Sequence, residues 1–535
     1  MYIIAAAVIV IIIAGGYLYY QSLQPPSPSP SPSPSPETVD LRVSMYSEPV
    51  TIDPHKAAYG PDLVTMYNLY ETLVYPLPSG EPEPILAEKW EVSNQGITYT
   101  FYLRENAVFH DGTPVEAKDI KFSMERMLAL GKGFSGMFMG DYGVDSVTII
   151  NNKTVSINLK KPFAPFIMTL YCFPIMNMDL IESQLEEGDY DEWGDYGQDF
   201  LINNDAGSGA FKLQDWERGY QMIWARHDEY WQGWDNPKYP TTVYFMFIRE
   251  DTTIKTMLLN KEIDFDCSSF SRDLVDTIRE VPHLVIEQAN KISTGYINLN
   301  TQKEPTSNIH FRKAVAYCFP YQEYVETVGL GVSKVARGPV NENVYGFDTT
   351  LPEPEFNLTK AKQELELSGY ETPIEFHVTT LETGQDAPCL AWAPQLEKIG
   401  IQLIQHKSVL SLYFELTKDP QTSWHANVCG KGPNYPHADD ILWWFTPYNW
   451  GQWYAACFYN NTEYEELIKS ARAEADPEKA LEIYHQCQEF LLEEQPAVWY
   501  TMSFGELVHQ DYVTGFVYRP GYRTEYKFHR LVVNK

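Results

Sequence analysis

Three groupings in this 535-residue sequence have residue types that could do chemistry. Asp439 and Asp440 could be imagined as the paired carboxylates of a glycoside hydrolase. Adjacent residues rarely face one site, so a helix start or a surface position is the simpler assignment. Gly207, Ser208 and Gly209 place a serine between glycines, but without the GxSxG spacing of a nucleophile elbow. A strand-like FKL follows, so these glycines point to a turn. His425 and His437 flank Cys429, where a metal site is conceivable but no tight ligand pair occurs. Neither HExxH nor a phosphate-binding loop is present. No cofactor, metal or catalytic set is expected, and the chain reads as a binding protein, with a surface hydrolase as the distant alternative.

One composition anomaly remains. Nine aromatic residues, from Trp424 and Tyr435 to Trp453 and Tyr454, fall within thirty-one positions. They are either core or the wall of a ligand site, because binding sites are concave and rich in aromatics. The charge narrows the ligand class. Asp and Glu number 72 against 40 Lys and Arg, a formal net charge of −32. Nucleic acid is excluded as a partner, because it needs clustered positive charge. Seven cysteines leave at least one thiol unpaired within the chain, and none shows zinc-ligand spacing.

The first 38 residues set the expected compartment. Residues 3–18 are almost wholly apolar, and tyrosines at 17, 19 and 20 fit a membrane interface. No basic segment precedes the run, so it reads as a transmembrane anchor over 1–20 rather than a cleaved leader. The stretch QPPSPSPSPSPSP follows. Alternating Ser-Pro removes backbone donors and favours an extended stalk, here 21–38. The expectation is a globule held at the cell surface, outside the cytoplasmic membrane.

From residue 39 helices and strands alternate, which implies α/β lobes. LVTMYNLYETLV over 63–74 has helical spacing, and ITYTFYL alternates like a half-buried strand. In FHDGTPVEAKDIKFSMERML, Asp111 and Gly112 predict a turn. Thr113 is the expected N-cap of a helix, with Pro114 at its first position and Glu116 completing a capping box. VTIINNKTVSINL reads as a hairpin. Gly400 should end one helix, Asp476 and Pro477 should open another, and AVWYTMS should be a strand.

Taken in order, several motifs point to a family. TIDPHKAAYGPDLVTMYNLYETLV and ILAEKWEVSNQGITYTFYLRENAVFHDGTPVEAKDIKFSMERM resemble the N-terminal region of ABC-transporter solute-binding proteins of the dipeptide/oligopeptide/nickel type. KTVSINLKKPFAPF, GSGAFKLQDWERGYQMIWARHDEYWQG, GYINLNTQKEP and FRKAVAYCF continue the resemblance over about residues 40–525. It implies a periplasmic-binding-protein-like clamshell. The first lobe would span 39–295, with an extra subdomain at about 86–204. The second would span 296–504, and 505–535 would return to the first. The implied partners are an ABC permease and ATPase complex and a small ligand.

A peptide is the expected ligand and an oligosaccharide the alternative. Peptide-binding members commonly carry an aspartate before a Tyr-Pro-like turn, which pairs with the peptide ammonium. Here, in GPNYPHADDIL, Asn434 takes that place, unless the register slips and Asp439 or Asp440 takes over. Asn434→Asp is then expected to tighten peptide binding. The clamshell implies ligand contacts from Gly430 to Asp440, with Asn434 and Tyr435 nearest and His437 and Asp439 alongside. It also implies Trp424 in the aromatic wall, Tyr59 on a first-lobe loop, and Trp499 or Tyr500 on the returning strand.

Overall fold

The computed structural model describes residues 38–268, 272–289, 291–329, 333–382, 385–503, 505–519, 521 and 526–535. The expected anchor and nearly all of the stalk lie outside them. Among the described residues no helix is long and apolar enough to cross a membrane.

Two large mixed sheets organise the chain from Asp40 onward. The first orders its strands as Leu284–Ala289, Gly505–Gln510, Phe265–Asp266, Asp40–Met45, Thr242–Phe247, Gln221–Arg226 and Phe211–Glu217. The second runs Ser333–Lys334, Ala497–Ser503, Thr294–Leu299, Ala426–Lys431, Ile374–Leu381 and Ile401–Ser408. A separate antiparallel sheet, Ala87–Ser93, Thr98–Leu103, Thr154–Leu159 and Val144–Asn151, is inserted between strands of the first. The chain passes between the two large sheets twice, at 289–294 and at 503–505. At the first passage the pairing of Thr294–Leu299 with Ala497–Ser503 shifts register between Gly295 and Tyr296. A Cβ on Gly295 would lie 2.6 Å from Thr501 Cγ2, so a larger residue here would force the Thr501 and Tyr500 side chains to shift.

The last residues pack back on the first sheet. Asn68 donates to Tyr526 O and accepts from Phe528 N–H, and Lys535 pairs with Asp264 at 2.8 Å. The second sheet is covered on both faces. Trp499 and Met502 enter one apolar core and Val498 and Tyr500 the other. Alternation sets Trp499 opposite Val498 and Tyr500, and the register shift beside Gly295 returns Met502 to the Trp499 side.

Most expected elements form where their residues direct. The helix Pro477–Glu494 opens on Asp476, whose side chain accepts from two backbone N–H groups, and the strand Ala497–Ser503 follows. Gly400 has φ 82° after the helix Ala387–Glu397. Two boundaries move. The helix near residue 63 is Gly60–Leu69, because the chain turns extended at Tyr70 and continues into the strand Val74–Pro76. The helix after Gly112 starts at Ala117, not Pro114. Glu116 is its N-cap, and Asp119 closes the capping box. Thr113 instead donates to Asp111 within a side-chain turn.

Gly207 and Gly209 lie against the backbone at Leu69, and a Cβ on Gly207 would sit 1.9 Å from Leu69 O. Ser208 between them is buried, and its hydroxyl meets no partner among the described residues. The glycines serve close packing, and the serine is no nucleophile. Gly207→Ala is expected to destabilise the protein by about 1–3 kcal/mol, measured as a shift in urea midpoint. An unchanged midpoint would contradict the close approach.

Candidate functional site

A cavity of about 970 Å³ opens between the second-sheet side and the inserted sheet. One wall comes from the inserted subdomain, with Phe134, Met137, Tyr142 and Phe163. The opposite wall comes from the second-sheet side, with Asn434, Tyr435, Asp440, Trp443, Trp444 and Arg472. Ala58 closes it from the first-sheet side. A second cavity of about 360 Å³ lies at the passage between the sheets and meets Gly430, Lys431, Gly60 and Lys291.

Local sequence explains the second-sheet wall. The strand Ala426–Lys431 leads through a loop into the short helix Ala438–Trp443. His437 caps that helix, its Nδ1 accepting from Asp439 N–H at 3.0 Å. Asp439 then turns into the protein. Arg472 grips it twice, at 2.9 and 2.8 Å, and the hydroxyls of Tyr435 and Tyr484 donate to it at 2.5 and 2.9 Å. Burial alone would raise the Asp439 carboxyl, but the Arg472 charge overrides it and holds the group below its ordinary value. With these donors the carboxylate is structurally committed.

Asp440, one residue on, projects toward the cavity. It accepts from Asn434 N–H at 2.6 Å and from the Asn434 amide at 3.1 Å. Burial pushes its carboxyl above the ordinary value, against the pull of Lys431. Lys431 Nζ donates to Asn434 Oδ1 at 3.1 Å and lies 4.4 Å from the Trp444 ring centre. Asn434 thus bridges a cation and a carboxylate. Its carbonyl accepts from Tyr171 O–H at 2.7 Å, across the cleft. A second cross-cleft bond joins Ala164 N–H to Arg472 O at 2.8 Å.

The expected ligand residues separate into two sets. Asn434, Tyr435 and Asp440 line the larger cavity and Gly430 the smaller. Tyr59 is 40 % exposed and meets Tyr46 edge to face, while its neighbours Ala58 and Gly60 line the cavities. The others lie elsewhere. Trp424 stacks on His406 and His377, at 4.3 and 4.8 Å, beside the Ile401–Ser408 edge of the second sheet. His437 is buried against Tyr345 and Tyr484. Neither Trp499 nor Tyr500 lines either cavity, because both faces of their sheet are covered.

Asn434→Asp now carries a different expectation. It would set a second carboxylate against Asp440 and remove a donor, so it should weaken ligand binding rather than tighten it. Sequence reasoning covered Lys431 only as part of the 430–440 segment, and missed Arg472 and the subdomain wall. The signal for the wall was GKGFSGMFMGDYG, an apolar, glycine-rich loop between a helix and a hairpin. All seven cysteines are buried, and none forms a disulfide among the described residues. No cluster of three metal-ligating side chains occurs among the described residues.

Two sheets joined by paired passages around a cleft define a two-lobe clamshell. The family model for bacterial extracellular solute-binding proteins, family 5 Middle, matches residues 81–453, and the chain belongs to that family. It is 26 % identical over 497 residues to the probable D,D-dipeptide-binding periplasmic protein DdpA of Escherichia coli (strain K12), covering 90 % of this chain and 92 % of that one. It is also 26 % identical over 514 residues to the dipeptide-binding protein DppE of Bacillus subtilis (strain 168), covering 90 % of each chain. Among solved structures, HbpA2 from Haemophilus parasuis superimposes with a TM-score of 0.81 at 23 % identity, covering 93 % of this chain and 100 % of that one. The periplasmic binding protein DppA from Helicobacter pylori, in complex with a peptide, gives 0.71 at 22 %, covering 93 % and 98 %.

Burial pushes His437 down to about 4, from an ordinary value near 6.5. Between those values the unfolded chain takes up a proton that the folded chain refuses, so this histidine's contribution is lost as pH falls from about 6.5 toward 4. His437→Asn keeps a capping acceptor but cannot titrate. Urea unfolding at pH 7 and pH 4.5 should show a smaller acid loss for the variant than for the parent. Equal losses would exclude His437 as a source.

Proposed function

We propose that this protein is the extracytoplasmic binding component of an ABC importer and that its solute is a short peptide. Asp440 carries the reading: a carboxylate at the edge of an aromatic-walled cleft, held by Asn434 and suited to a peptide ammonium. The peptide-binding names of the two matched relatives support peptide over oligosaccharide. Family membership supports binding without catalysis. Residues 3–18 and the Ser-Pro run support attachment to the membrane through an N-terminal helix.

In this reading residues 39–295 and 505–535 form one lobe, with about 86–204 as its subdomain, and 296–504 form the other. The passages at 289–294 and 503–505 act as the hinge. A ligand that touches both lobes favours the closed form, which the permease recognises. The cross-cleft bonds from Tyr171 and Ala164 belong to closure.

Titration calorimetry with tri-alanine tests the site. Asp440→Asn should weaken binding about tenfold or more, the scale of one charged hydrogen bond. Retained affinity would remove Asp440 from the site. Small-angle scattering should show compaction with saturating peptide, and an unchanged radius despite tight binding would refute the hinge.

A further inference from the structure

Two imidazoles meet at the edge of the second sheet, and neither lines the cleft cavities. His377 Nδ1 and His406 Nε2 are 2.8 Å apart, carried by the adjacent strands Ile374–Leu381 and Ile401–Ser408. Their rings lie 15° from parallel with centres 5.1 Å apart, so they sit side by side in nearly one plane. Trp424 covers that plane from one side, its indole 8° and 17° from the two rings. Glu375 lies 3.5 Å from His377 Nε2. A carboxylate there favours the ring proton on Nε2 and leaves Nδ1 its lone pair, as behind metal-bound histidines. Thr379 pairs across from His406, and alternation sets it on the same face as His377. It is fully buried, and its hydroxyl has no hydrogen-bond partner among the described residues. His425 is occupied, its Nδ1 accepting from His377 N–H at 3.0 Å.

The spacing selects among metals. Bonds of about 2.0–2.1 Å put two nitrogens about 2.8–3.0 Å apart at a right angle, and about 3.3–3.4 Å apart at a tetrahedral one. The observed 2.8 Å fits the right angle. Such nitrogen sites suit Cu²⁺ or Ni²⁺ rather than tetrahedral Zn²⁺, and Cu²⁺ stands highest in the affinity series. The indole also shields one axial direction, which suits a planar site.

We propose that His377 and His406 form a Cu²⁺ site outside the cleft, with Thr379 Oγ1 as third donor and water completing the coordination. Without metal, one proton bridges the two nitrogens. On binding, that proton passes through solvent to His406 Nδ1, and both rings stay neutral. The site rests on these residues and not on the peptide reading.

The test uses the full-length protein freed of metal with EDTA, copper sulfate as probe, and the variants His377→Gln, His406→Gln and His310→Gln. His310 pairs with Glu364 elsewhere on the chain and serves as the control. Calorimetry should show Cu²⁺ binding one-to-one to the parent and to His310→Gln. Either of the other variants should bind about tenfold more weakly or worse. Zn²⁺ binding the parent more tightly than Cu²⁺ would overturn the right-angled geometry. At substoichiometric Cu²⁺, electron paramagnetic resonance of the parent should show coupling to two imidazole nitrogens. That spectrum decides even where a variant fails to fold, because coupling to fewer than two overturns the site. Equal Cu²⁺ affinity in the parent and both site variants would likewise reduce the pair to a hydrogen bond.

Discussion

The buried pair of Asp439 and Arg472 is the interaction on which the binding face depends. Arg472 closes the helix Thr462–Ala473, Tyr484 rises from Pro477–Glu494, and Asp439 begins Ala438–Trp443. One carboxylate therefore ties three helices and the Tyr435 loop together. Burying two charges is expensive, and only a fully satisfied pair recovers the cost. Here a two-pronged guanidinium and two tyrosine hydroxyls meet that demand. The same guanidinium lies 3.6 Å from the Trp443 ring centre, fixing an aromatic that lines the cleft. Removing Arg472 would leave Asp439 charged and unpaired, a loss of about 3–5 kcal/mol that would be felt first in the wall.

That pair also explains why two adjacent aspartates have different roles. Successive residues on a helix point about 100° apart. Once Asp439 is drawn inward, Asp440 must turn away toward the cavity, where Asn434 N–H and amide hold it. The structural carboxylate orients the available one, and Lys431 limits its basicity. Asn434 sits between that lysine and Asp440, so its value lies in bridging them rather than in neutralising a ligand ammonium.

Much of the fold was legible in the sequence because its signals are local. Alternation in ITYTFYL buries Tyr99, Phe101 and Leu103, and Asp476 caps the helix it was read to open. The helix after Gly112 was placed three residues early because two capping boxes compete there. Thr113 can bond Asp111, which frees Glu116 and Asp119 to cap later. The site was legible only where the chain is contiguous, from Gly430 to Asp440. Trp424 looked like part of the wall by proximity in sequence, yet a strand carries the chain away from it before the cleft begins. Trp499 and Tyr500 alternate correctly, but alternation does not reveal that helices cover both faces.

The charge pattern of the cleft bears on the choice between peptide and sugar. The protein is strongly acidic overall, yet Lys161, Lys291, Lys431, Lys469 and Arg472 line the two cavities. Arg472 is committed to Asp439, and Lys161 and Lys469 pair with Asp141 and Glu465. Lys291 has no such partner among the described residues. Closing the lobes over it would remove water from an ammonium, and a neutral sugar would offer only neutral acceptors in return. Exclusion of water raises the cost of an unpaired charge and equally strengthens a paired one. The aromatic walls can accommodate either ligand class; a part-buried lysine without an ion-pair partner among the described residues favours a charged ligand over a neutral one.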